Sequence, residues 1–382
     1  MYINLEFSIM IALISIRAES EKDRLTGGNF MSGKYMAYVG SYSYLGKAKG
    51  ITVYDIDLKE GYFKKRCEVE VDNSSYVVYS HDKKFLYSIA DEGVVSFRIL
   101  PNGTLNRMNC AKINGMRGCH LSVSPDNKYI CVSGFHDGKL TVLEINKDGT
   151  VGNIKYEVYN QGYGSIAERN FSPHVRCSKI TPDNKYLFSV DSGIDQVKIF
   201  RFDPHIDEEL RQVDAIRCER GSSPRFFRFS PDGRFIYLIY EIKNVIEVYS
   251  YKAGERAPII EKIQSITTTA DKTGNPNIAA CSIKLSDDGK YVFCSNAGEN
   301  TVTMYERDEE TGLLTMKRSL PISGEYPKDI ALFPDGKHLV VANHVSGTLT
   351  FFKVDYDKSL FMMNKLPIEV NQPNCIRIVE LI

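Results

Sequence analysis

Six times along the chain a turn of the form Ser/Thr-Pro-Asp-Asn/Gly-Lys separates two short apolar runs. Clear copies are Ser124-Pro125-Asp126-Asn127-Lys128, Thr181-Pro182-Asp183-Asn184-Lys185, Ser230-Pro231-Asp232-Gly233-Arg234 and Phe333-Pro334-Asp335-Gly336-Lys337. Ser80-His81-Asp82-Lys83-Lys84 and Ser286-Asp287-Asp288-Gly289-Lys290 are degenerate copies. Their aspartates stand at 82, 126, 183, 232, 288 and 335, a period of 44 to 57 residues. In a chain of short alternating strands, that period belongs to the blades of a propeller. Equivalent loops of every blade then gather around one axis, which is where chemistry has to be sought.

One repeat shows the unit. Cys119-His120-Leu121-Ser122-Val123 alternates as a half-buried strand does. The turn follows, with Pro presetting φ and Asn accepting the left-handed region. Tyr129 to Ser133 is a second strand, Leu140 to Ile145 a third, and Asp148-Gly149-Thr150 turns into a weaker fourth. The same order recurs at 175–200, 225–250, 280–306 and 328–354. The 352 residues from Met31 to Ile382, at a mean spacing near 51, make about seven blades although six turns are visible. The ends supply the seventh. Gly33 to Gly40 reads as the close of a turn and its following strand, and Pro373 to Ile378 as an inner strand with no turn behind it. Joined, they leave no free edge. The expected architecture is an all-β, seven-bladed propeller of four-stranded antiparallel blades, closed by pairing N- and C-terminal strands.

Residues 1–30 stand outside the repeat and are expected to be a disordered or non-native leader, with residues 31–382 forming the propeller. The apolar run from Ser8 to Ile16 is nine residues, against about 20 needed to cross a bilayer. Only Glu6 precedes it as a charge, where a secretion signal wants a basic start. The 48 basic and 48 acidic residues cancel, so no global field draws the protein to nucleic acid or anionic lipid. Nine cysteines, odd in number and without a CxxC pair, read as small buried residues in a reducing cytosol and offer no zinc spacing.

From Met31 onward the chain resembles the lactonase family of seven-bladed propellers, which includes propeller-type 6-phosphogluconolactonases and carboxy-muconate lactonising enzymes. The carriers are Gly118-Cys119-His120-Leu121, Glu168-Arg169-Asn170 with Ser172-Pro173-His174, Asp191-Ser192-Gly193-Ile194-Asp195, and Ser295-Asn296-Ala297-Gly298. Ser223-Pro224-Arg225 followed sixteen residues later by Tyr240-Glu241-Ile242 is the most specific. The resemblance implies a substrate-binding role for Arg225 and an acid role for Glu241. It also shows departures. Arg176 stands where the family has a second histidine after His174, Phe226 where histidine follows the arginine, and Ala297 where an arginine is usual. Arg176 is a candidate replacement for the cation missing at 297.

Opening a sugar lactone needs an activated water and a stabilised oxyanion. A carboxylate or neutral histidine takes the proton, and arginine suits both the oxyanion and an anionic substituent. The expected catalytic set is Glu241, Arg225, His174 and Arg176, with Arg169, His120 and Asn296 contacting substrate. Each has a structural alternative: Glu241 and Arg225 as an ion pair between blades, His120 as a core histidine, Asp191 and Asp195 as turn residues. The loop 160–172, with Gly162, Gly164 and Ser165, is long enough to shape the rim. His136, His205, His338 and His344 read as turn or edge residues. The mechanism needs no cofactor and no metal. The expected partner is a small anionic lactone, with no nucleic acid or membrane, and the expected state is a monomer. Two alternatives stay open: a muconate-type lactonising enzyme, and a non-catalytic binding propeller, since a fold alone does not confer activity. A narrow cationic funnel would favour an enzyme; a broad apolar rim would favour a platform.

Overall fold

The computed structural model describes residues 35–164, 172–206, 208–270 and 275–382. The expected leader and Arg169 lie outside them. The described residues form seven antiparallel sheets of four strands each. In six blades the strands follow chain order from the axis outward, beginning with Val77–Tyr79, His120–Val123, Val175–Ile180, Pro224–Phe229, Ala279–Leu285 and Pro327–Leu332. The remaining blade places the C-terminal Pro373–Glu380 innermost, beside Tyr35–Ser41. The pairing of Met36 with Val379 and Tyr38 with Arg377 closes the ring. Each inner strand touches the inner strand on either side, and the circuit returns to its start.

Turn chemistry explains why the repeat is so visible. In five turns the Ser or Thr hydroxyl donates to the aspartate two residues on, at 2.5–2.6 Å. It also accepts the N–H five residues on, as from Phe235 to Ser230 at 3.0 Å. The fourth turn residue sits in the left-handed region: Asn127 at φ 59°, Asn184 at 57°, Gly233 and Gly289 at 71°, Gly336 at 65°. Only Asn and Gly take that conformation at little cost. Lys83, at φ 58°, is the exception and belongs to one of the two degenerate copies.

Second and third strands are buried on both faces, because neighbouring blades pack there. Tyr186, Phe188, Phe227 and Leu238 fill one such interface, and Tyr237, Val248, Ile283 and Tyr305 the next. Outer strands face solvent on one side and alternate only weakly, as along Ile259–Thr267. All nine cysteines are free thiols. Among the described residues no helix is long and apolar enough to cross a membrane.

Candidate active site on the propeller axis

A recurring irregularity aims side chains at the axis. The ladder between first and second strands shifts register at Arg176, Arg225, Cys281, Lys328 and Asn374, the second residue of its segment in four cases and the third at Cys281. A bulge of this kind re-aims the extra residue away from the sheet. Arg176, Arg225, Lys328 and Asn374 accordingly line one channel, with Cys119 and Ser75 from the same phase of two other blades. Residues just beyond the second strands form its rim, including Tyr42, Phe135, Glu241 and His344.

Glu241 is the pivot. Its backbone N–H donates to Ser223 O at 2.8 Å and its carbonyl accepts from Ala280 N at 3.1 Å, which fixes it between blades. Its carboxylate takes Arg176 Nη2 on one oxygen and Arg225 Nη1 on the other, both at 2.8 Å. Arg225 is 4% exposed. Burial alone would weaken its charge, but Glu241 holds it firmly ionised, well above the ordinary arginine range. Arg176 also stacks on Phe135, 4.2 Å from the ring centre. Among the described residues Lys328 has no such acid; burial, then the field of Arg225, pushes it down to about 8. Its ammonium lies 5.1 Å over Tyr42.

His174 lies at the rim against Phe135, with ring centres 4.3 Å apart. Its Nδ1 is 2.6 Å from Phe135 O, and a carbonyl only accepts, so Nδ1 carries the proton and Nε2 is left as the acceptor of the neutral ring. The two aspartates read as turn residues position this machinery. Asp191 accepts the N–H groups of His174, Gly193 and Ile194, at 2.8–3.3 Å. Asp195 accepts those of Gly221 and Ser223, at 2.7 and 2.8 Å, just before Arg225.

Two expected substrate contacts are placed one residue out of phase with the channel wall. His120 is 1% exposed, ringed by Tyr76 and Phe226, and burial drives it well below the ordinary histidine range. The Asn296 amide is fully buried and donates to Thr268 O, Thr301 and Thr303. Asn343 makes the same Thr contacts one blade on, with Thr348 and Thr350, so this is a blade device. Ala297, at the position equivalent to Glu241, is closed off at 1% exposure. Burial pushes the Cys119 thiol up to about 11, so it is no thiolate nucleophile at neutral pH. Sequence reasoning missed Lys328, although Tyr326-Pro327-Lys328 repeats the phase of Ser223-Pro224-Arg225. It also missed a deeper row of cations three residues further along the inner strands.

The family model for the seven-bladed β-propeller lactonases matches residues 36–378. The chain belongs to that family. It is 26% identical over 355 residues to the 6-phosphogluconolactonase of Bacillus subtilis, covering 91% of this chain and 99% of that one. It is 27% identical over 345 residues to the Formosa agariphila 6-phosphogluconolactonase, covering 87% and 96%. The periplasmic gluconolactonase of Pseudomonas aeruginosa superposes with a TM-score of 0.85 at 26% identity, over 91% and 99% of the two chains.

Proposed function

We propose that this lactonase-family member hydrolyses a sugar lactone carrying an anionic substituent, with 6-phosphogluconolactone the best-fitting substrate, at the mouth of the axial channel. The observation that carries the reading is the Arg176–Glu241–Arg225 bracket, 2.8 Å on each side, set beside Lys328 in one channel. Two guanidiniums keep Glu241 an oriented anion that accepts a hydrogen bond from water and draws off its proton. The water oxygen adds to the lactone carbonyl, and the negative charge formed on its oxygen lies among Lys328 and Arg225. The ring C–O bond then breaks, the ring oxygen takes a proton, and an open hydroxy acid leaves. His174, through Nε2, is the second proton acceptor. The names of the relatives support the reaction class, and the density of cations supports an anionic substrate.

The test is the rate of 6-phosphogluconolactone opening against its spontaneous hydrolysis. Wild type should exceed background, while Glu241→Gln and Arg225→Ala should each lose at least about a hundredfold in kcat/KM. Unchanged catalysis in both variants would remove the axis from the mechanism.

A further inference from the structure

Beneath the rim, around the channel-lining Arg228 and Asp329, lies a second rung of charge. Lys179, Arg228, Lys284 and Arg377 each stand three residues beyond a bulged position and sense one another's fields. Their sole acid among the described residues is Asp329, and it is already saturated. It accepts from Lys284 at 3.1 Å, Arg377 and Ile376 N at 3.0 Å, and Ser282 at 2.7 Å. Among the described residues Arg228 donates only to the carbonyl of Phe227, and the ammonium of Lys179 has only the Phe227 ring, 5.8 Å away. Burial and mutual repulsion push Lys179 well down and Lys284 to about 8. Cations packed this way in a channel are an unmet demand for an anion. One level above the rung, among the described residues, both polar atoms of the Asn374 amide, 5% exposed on the channel wall, lack a partner, as does the Ser75 hydroxyl, so the wall between the rung and Glu241 also has polar groups open to a ligand.

We propose that this inner rung is a binding subsite for a phosphate monoester, which anchors the substrate by its phosphate and presents the lactone carbonyl outward to Glu241. The assignment rests on the lactonase reading above and adds a direction to it. Arg176 and Arg225 bracket Glu241 at the reacting end, so the anionic group is held below them, at the rung where, among the described residues, Arg228 and Lys179 have no acid. Three residues of extended strand span roughly 10 Å. The lactone carbonyl carbon and the phosphorus are only five bonds apart through the ring oxygen, a shorter reach, so the phosphate meets the ends of the rung's long side chains rather than the level of their Cα atoms.

Lys179→Met and Arg228→Gln remove cations that pair with no acid, so both should fold. Steady-state kinetics on 6-phosphogluconolactone should show KM raised about tenfold to a hundredfold, the loss expected for one charge-assisted contact, with kcat within about threefold. Kinetics on unphosphorylated glucono-1,5-lactone should not change. In a second arm, millimolar inorganic phosphate should raise the melting temperature of wild type and not of Lys179→Met. Equal effects on both lactones, or on neither, with no phosphate-dependent melting shift, would overturn the subsite while leaving lactone hydrolysis intact. Turnover of neither lactone by wild type would sink the lactonase reading. The melting arm would then decide the anion site alone: a shift abolished in Lys179→Met supports it, and an absent or unaltered shift overturns it.

Discussion

Asp329→Asn offers the most quantitative probe of how the ring is held shut. Asp329 belongs to one blade, bonds Ser282 and Lys284 of the preceding one, and bonds Ile376 and Arg377 of the C-terminal closing strand. It is 5% exposed, and its cations are 16% and 13% exposed at the side chain. Removing one partner of a buried ion pair costs about 3–5 kcal/mol, and the slight exposure of the cations puts the expectation near about 3. At an unfolding entropy of about 2.1 cal/mol/K per residue over roughly 350 residues, that is a fall of about 4 °C in melting temperature. The pH dependence adds a second check. Burial raises the Asp329 carboxyl, but Lys284 and Arg377 outweigh it and hold the group well below the ordinary range. Its contribution is therefore complete above the unfolded carboxylate value of about 3.9, and shrinks as pH falls below it. Urea unfolding and thermal melting at pH 7 should show the full gap between variant and wild type, and at pH 3 a smaller one. A gap under about 1 kcal/mol at pH 7, or one that does not move with pH, would refute the closure role.

Three further outcomes are expected. Ser230→Ala strips the buried Phe235 N–H of its acceptor and should destabilise by about 1–2 kcal/mol in urea titration, with kinetic constants unchanged. Lys284 and Lys328, each pushed down to about 8, lose charge as pH rises, so calorimetric affinity for 6-phosphogluconate should fall between about pH 7 and 9; a flat profile would take both lysines out of the site. His174→Ala should lower kcat about a hundredfold with KM changed only a few-fold, as for loss of a proton acceptor; equal losses in kcat and 1/KM would mark a packing role against Phe135.

The blade count and the closure were legible because turn chemistry is local. Asp at the third turn position and Asn or Gly at the fourth follow from one hydroxyl–carboxylate contact and one left-handed residue, and both survive in a single sequence. Arg225 and Glu241 were singled out by the family resemblance, and the structure brings them together with Arg176. Phase was misjudged by one residue at His120 and Asn296, because each lies next to the position that meets the channel, Cys119 and Ala297, and a one-residue offset leaves no mark in residue type. Lys328 and the inner rung were missed for another reason. Scattered lysines and arginines in strands read as solvated, and only the closed ring shows that Lys179, Arg228, Lys284 and Arg377 converge. The spacing of three from 176 to 179 and from 225 to 228 was the available signal.

The most direct test of the whole account is a crystal structure of the protein with 6-phosphogluconate, the product of the proposed reaction. The product should lie in the axial channel, its phosphate among Lys179, Arg228, Lys284 and Arg377, and its carboxylate beside Lys328, Arg225 and Glu241. Product seated elsewhere on the propeller, or in the channel with its phosphate at the rim and its carboxylate at the inner rung, would contradict it.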